Sequence, residues 1–269
     1  MEKIVLDKFL KSWYNIFWAA TIIGLFPLFY WLVFKAGDYG DNSYGPDPLD
    51  GKQENDGTSN NVASAKNYNR IVECTKDEFK DLTYYSRNLW PEQLPSFEKN
   101  VNNYYDLCTE IGMNVLSFIE CSLDLSEKFF RNKFENPMSL LRCNYYPPRK
   151  SSLSNKDYGI APHTDYGCLT ILLTDNNPGL EIKNPSNEWE LVTPKEGEVI
   201  VNFGDMLEFW SKKKIKATPH RVYGNNKERF SIPFFFNPQY DTIISKKDKI
   251  IAGEYLSKKY DTTYIHKKI

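Results

Sequence analysis

Two short motifs far apart in the chain must meet if either is to mean anything: A-P-H-T-D-Y-G at 161–167 and A-T-P-H-R-V at 217–222. Between them they hold two of the chain's 3 histidines. His163 and Asp165 stand two residues apart, so on an extended segment they project to the same side. His220 returns from much later in the sequence. A fold that brings it to that side sets two imidazoles and one carboxylate on one face of a metal. Such a set suits Fe(II) and leaves the three opposite positions open. It brings only one negative charge when both imidazoles are neutral.

A second cluster follows His220. The segment E-R-F-S-I-P-F-F-F-N-P at 228–238 reads as a strongly apolar strand, on which Arg229 and Ser231 share a face. An arginine aimed inward from such a strand needs an anionic partner, because burying an unpaired charge is very costly. Its planar fork matches a carboxylate bidentately, as a lysine cannot. A structural salt bridge to an Asp or Glu is the alternative to a bound anion.

From 138 onward the chain consists of short β-rich runs broken by Pro, Gly and Asn, the pattern of a sandwich or barrel. Residues 96–121 carry apolar positions near helical spacing, with Ser96 as N-cap, and predict a long helix supporting one sheet. Residues 252–262 predict a terminal helix. The expected class is therefore mainly β with supporting helices (α+β). Aromatic content of 15% supplies ample core material.

The motifs L-R-C-N-Y-Y-P-P at 141–148, A-P-H-T-D-Y-G-C-L-T-I-L-L-T-D at 161–175 and G-L-E-I-K at 179–183 carry a family resemblance. So do the run 189–211, T-P-H-R-V at 218–222 and R-F-S-I-P-F-F-F-N-P at 229–238. In order and spacing, over roughly residues 90–262, the chain resembles the isopenicillin N synthase-like family of Fe(II)/2-oxoglutarate-dependent oxygenases. The resemblance implies a double-stranded β-helix (jelly-roll) core. It implies that His163, Asp165 and His220 hold iron, and that Arg229 and Ser231 bind the distal carboxylate of 2-oxoglutarate. Asn144 and Tyr146 match the family's N-x-Y element, whose tyrosine supports the same co-substrate; Tyr145 reads as packing. Gly204 and Asp205 read as a turn between two strands, without chemistry.

The implied activity is a dioxygenase that hydroxylates or desaturates a small organic molecule, with Fe(II), 2-oxoglutarate and dioxygen as cofactor and co-substrates. Some members with the same triad and R-x-S oxidise their substrate without 2-oxoglutarate. A non-catalytic, membrane-tethered binding module on the same fold is a third reading. Fold and iron site do not fix the substrate.

The front of the chain departs from the family. Its usual N-terminal region, with a G-F-F-type segment, is not visible, and residues 16–34 form an uncharged apolar stretch instead. That length suits a membrane-spanning helix, with Trp18, Tyr30 and Trp31 towards its ends and Pro27 tolerated within. No A-x-A cleavage pattern follows it. Residues 1–35 are thus expected to anchor the chain in a membrane by a single pass, with a cytoplasmic chain as the alternative. Lys3, Lys8 and Lys11 before it favour a cytoplasmic N-terminus, while the absence of N-x-S/T sequons pulls the other way, so orientation stays open. Residues 36–70 read as a flexible polar linker, and 71–269 as the oxygenase domain, with its core at 138–240.

Net charge of −1 gives no footprint for nucleic acid. Lys212, Lys213 and Lys214 read as a solvated loop, and His266 as a tail residue without a ligand role. Five cysteines with no C-x-x-C argue against a disulfide framework or zinc site, and Cys143 and Cys168 read as small buried hydrophobes.

Overall fold

The computed structural model describes residues 88, 90 and 96–263, except 149–157, 176, 196 and 225, together with the backbone of 66–71. The apolar stretch 16–34, the linker up to residue 65, Cys74 and His266 lie outside these residues. No described helix is long and apolar enough to cross a membrane.

Two antiparallel sheets form the core. The larger contains β1 (Lys66–Ile71), β2 (Leu140–Tyr146), β4 (Leu169–Thr174), β7 (Ile200–Phe203) and β9 (Arg229–Phe236), in the order β1-β2-β9-β4-β7. The smaller contains β3 (Tyr158–His163), β5 (Leu180–Lys183), β6 (Trp189–Leu191) and β8 (His220–Tyr223), in the order β3-β8-β5-β6. Between β2 and β9 the chain crosses repeatedly from one sheet to the other, which is the winding of a double-stranded β-helix. A short hairpin, β10 (Ile243–Ser245) and β11 (Ile250–Ile251), follows. The helices are α1 (Phe97–Ser122), α2 (Asp205–Trp210) and α3 (Ala252–Thr263).

β9 is the central element because it is buried on both faces. Ile232, Phe234 and Phe236 face a core shared with α1, while Arg229 and Ser231 face the space between the sheets. α1 supplies Phe97, Val101, Tyr105, Cys108, Ile111, Val115 and Leu116 to that core, the three- and four-residue spacing of one helical face. Tyr105 meets Phe234 edge to face at 4.9 Å between ring centroids. At Gly112 a Cβ would lie 2.5 Å from Cδ1 of Phe236, so only glycine lets the ring press on the helix backbone. Between the sheets, Tyr146, Leu172, Leu180 and Val222 form a smaller apolar cluster.

Pro233 sits within β9, between two neighbouring strands, where proline is rare. The β2–β9 ladder skips its partner positions, pairing Leu141 with Phe234 and then Asn144 with Ser231. A residue without an N–H is thereby accommodated by a local gap in the pairing.

Three expectations need correction. Residues 66–70, assigned to the linker, belong to β1, which pairs along β2 from Lys66–Tyr145 to Ile71–Leu140. Polar K-N-Y-N-R looked like linker, yet an edge strand needs backbone pairing more than apolar side chains. Ser96 does occupy the N-cap of α1, but its side chain makes no capping hydrogen bond and its backbone is already helical, at φ −85° and ψ −9°. Gly204 and Asp205 do not join two strands; Gly204 is the N-cap of α2. The terminal helix stands where residues 252–262 placed it. Lys212, Lys213 and Lys214 are exposed in the turn after α2. Cys143 and Cys168 are buried and unbonded.

Replacing Phe234 with Ala removes a fully buried ring from the interface between β9 and α1. The expected loss is about 3–5 kcal/mol of unfolding free energy, read as a lower urea midpoint with an unchanged slope.

Candidate metal centre

The antiparallel register of β3 and β8 places His163 opposite His220. Their rings lie 4.3 Å apart between centroids, and the smaller sheet alone brings the two imidazoles together. Asp165 lies two residues beyond the end of β3, in the turn leading to β4. Its Oδ1 is 3.9 Å from Nε2 of His163 and 3.7 Å from Nε2 of His220. These gaps are too long for hydrogen bonds. Three ligand atoms therefore face one another, all within 4.8 Å, as a shared cation requires.

Each ligand is held from behind. Nδ1 of His163 lies 2.8 Å from the Ala161 carbonyl, and Nδ1 of His220 lies 3.0 Å from the Thr218 carbonyl. A carbonyl accepts only, so each Nδ1 carries the proton and each Nε2 keeps its lone pair for the centre. The Thr170 hydroxyl donates to Oδ2 of Asp165 at 2.7 Å. Burial, then the neighbouring His220, push the pKa of His163 below the ordinary imidazole value, which favours the neutral, ligating form.

The start of α2 carries the turn that bears Asp165. Asp205 N–H donates to the Asp165 carbonyl at 2.7 Å, Gly204 N–H to Cys168 at 3.0 Å, and Met206 N–H to Gly167 at 3.0 Å. A Cβ at Gly204 would lie 2.2 Å from the Gly167 carbonyl oxygen, so this approach requires glycine. Lys259 of α3 closes the arrangement with an ion pair to Asp205 at 2.6 Å. The residues read from sequence as a plain turn thus scaffold the centre.

Arg229 is 2% exposed and points into the space between the sheets. Its Nε and Nη1 find no hydrogen-bond partner among the described residues. Across the β2–β9 ladder Arg229 pairs with Tyr146, and Ser231 with Asn144. The guanidinium carbon lies 5.2 Å from the Tyr146 ring centre, and Asn144 donates to the Ser231 hydroxyl at 3.2 Å. Burial pulls the pKa of Arg229 down, opposed by Tyr146 and Asp175. Asp175 does not complete the fork; its carboxylate accepts from Phe230 N–H at 2.8 Å and from Asn177. Gly179 leaves room for the side chain, since a Cβ there would sit 3.0 Å from Cδ of Arg229. Buried guanidinium donors left open this way fit an incoming carboxylate.

All seven expected residues thus occur in two groups, the triad and the Arg229 cluster. Thr170, Asp175 and the start of α2 were missed. Thr170 is hidden in the run L-T-I-L-L-T, which reads as plain strand, and only the alternation of faces hinted that its hydroxyl turns inward.

Replacing Asp165 with Ala should abolish divalent-metal binding in a calorimetric titration. The far-ultraviolet circular dichroism of the protein should stay that of a folded β domain, because Asp165 lies in a turn outside both apolar cores.

Residues 137–238 match the 2OG-Fe(II) oxygenase superfamily. The chain is similar to the 2-oxoglutarate-Fe(II) type oxidoreductase hxnY of Emericella nidulans, 35% identical over 162 residues, which covers 58% of this chain and 46% of the relative. It is also similar to homoarginine-6-hydroxylase 2-ODD-C23 of Glycine max, 30% identical over 215 residues, covering 72% and 65%. Among solved structures it resembles a full-length Neurospora crassa protein in complex with alpha-KG and 5-formyluracil, with a TM-score of 0.65, 27% identity, and 74% and 69% of the two chains covered. The chain therefore spans about half to two thirds of the length of these curated relatives. Sequence match, winding and ligand geometry agree: residues 137–238 form a domain of the 2OG-Fe(II) oxygenase superfamily.

Proposed function

We propose that the protein is a non-haem Fe(II)- and 2-oxoglutarate-dependent dioxygenase that hydroxylates or desaturates a small organic molecule. One observation carries the reading: a three-ligand metal set and a buried arginine with two open donors occur in one β-helix. A metal-binding module that takes no anion has no need to bury such an arginine, which costs several kcal/mol unless an anion arrives.

In this reading His163, His220 and Asp165 bind Fe(II) through Nε2, Nε2 and Oδ1. The Nδ1 contacts to Ala161 and Thr218 fix both imidazole tautomers, so neither ring must reorganise when the metal binds. Arg229 takes the distal carboxylate of 2-oxoglutarate on its open Nε and Nη1, with Ser231, Tyr146 and Asn144 grouped around it. The cluster of Tyr146, Leu172, Leu180 and Val222 keeps water from that pairing and so strengthens it. Iron and 2-oxoglutarate, when bound, supply the activation of dioxygen; the protein supplies orientation and exclusion of solvent.

The full-length protein with Fe(II), 2-oxoglutarate and a panel of small metabolites should form succinate. Iron-dependent turnover of a substrate without 2-oxoglutarate would instead identify a direct oxidase, and no turnover with any panel member would favour the binding module. Replacing Arg229 with Lys keeps the charge but loses the fork. It should weaken 2-oxoglutarate binding by about 1.5–3 kcal/mol, the range for a hydrogen bond to a charged group. Anaerobic titration with Fe(II) present measures it, and equal affinities would overturn the assignment.

Attachment to a membrane through residues 16–34 belongs to the same proposal and rests on the length and apolarity of that stretch. Full-length protein should stay with membranes through carbonate extraction, and deletion of residues 1–40 should release a folded domain that still binds metal. Full-length protein that leaves the membrane fraction would overturn this.

A further inference from the structure

Thr170 touches a proposed iron ligand, yet the mechanism above gives it no part. It lies on β4 in the larger sheet, with Cα partners Asn202 and Phe235. Its neighbours Leu169 and Ile171 face the core under α1, so Thr170 and Leu172 face the space between the sheets. Thr170 is 3% exposed, and its hydroxyl donates to Oδ2 of Asp165 at 2.7 Å. That length is typical of a strong bond from a hydroxyl to a carboxylate.

We infer that Thr170 is a positioning residue that makes Asp165 a one-oxygen ligand, holding Oδ2 so that only Oδ1 faces the two imidazoles. The inference rests on the reading of the triad as a metal site. The main chain of Asp165 is fixed by Asp205 N–H at 2.7 Å, so the remaining freedom of the ligand is in its side-chain torsions. The outer torsion of an aspartate is broad and roughly two-fold, and does not choose an oxygen by itself. Thr170 makes that choice. A carboxylate turned to present both oxygens would take one of the three positions that a facial set leaves open. The bond also ties the carboxylate of Asp165, which stands in the turn between β3 and β4, to the larger sheet, while both histidines stand on the smaller. It therefore sets the distance of the carboxylate from the imidazole pair.

Cobalt(II) titration of the full-length protein tests this, followed by visible absorption, whose intensity and band positions report affinity and coordination number. The wild type should bind Co(II), and His220→Ala should lose it, which checks the triad independently of Thr170. Thr170→Val keeps the shape and removes the hydroxyl. It should weaken Co(II) about 10- to 100-fold, the usual effect of losing a group that orients a ligand, and should shift the spectrum towards higher coordination. Thr170→Ser should restore both affinity and spectrum. A purely structural threonine would lower the melting temperature of the Val variant and leave its Co(II) affinity and spectrum those of the wild type; that result overturns the inference. If the Val variant does not fold, Thr170→Ala is compared with Thr170→Ser, and equal affinities overturn it likewise. A wild type that binds no Co(II) overturns the metal reading itself, and this inference with it.

Discussion

The pairing of β3 with β8 is the constraint on which the centre depends. Antiparallel register sets His163 opposite His220, and a slip by one residue would turn every side chain of β3 to the other face. Neither strand fixes that register alone. β8 is locked between β3 and β5, where Val222 pairs with Leu180 and packs into the inter-sheet cluster with Tyr146 and Leu172. Apolar contacts between the sheets thus hold the two histidines of the candidate centre in register.

The Arg229 cluster obeys the same logic on the larger sheet. β9 turns Phe234 and Phe236 towards α1 and its arginine and serine towards the interior, so one strand both closes the core and places a buried charge between the sheets. A buried guanidinium with open donors is a destabilising feature in the protein by itself. The fold tolerates it because β9 is the best-packed strand, flanked by β2 and β4 and covered by α1. Stability contributed by Phe234 and Phe236 in one layer offsets the cost of a binding group in the next.

Around Asp165, support comes from elements outside the smaller sheet. The first turn of α2 holds the backbone after Asp165, Lys259 of α3 pairs with Asp205, and Thr170 of β4 takes the second carboxylate oxygen. The carboxylate of the candidate centre is therefore held by three elements, which is the kind of support that orients a metal ligand in advance.

The sequence by itself singled out the residues of the candidate site. Histidine is scarce, H-x-D has a two-residue spacing, and an arginine stands out in an apolar strand, so His163, Asp165, His220 and Arg229 stand out by residue type and parity, while the family resemblance supplied the roles expected of them. Apolar periodicity likewise located α1 and α3 to within a residue at each end. Tertiary structure decided what those signals could not carry. Polar residues 66–70 became a strand because β2 offered an edge, and Gly204 and Asp205 became a helix start because the turn after Asp165 needed donors. Each of these depends on which backbone lies opposite, and local pattern holds no record of that.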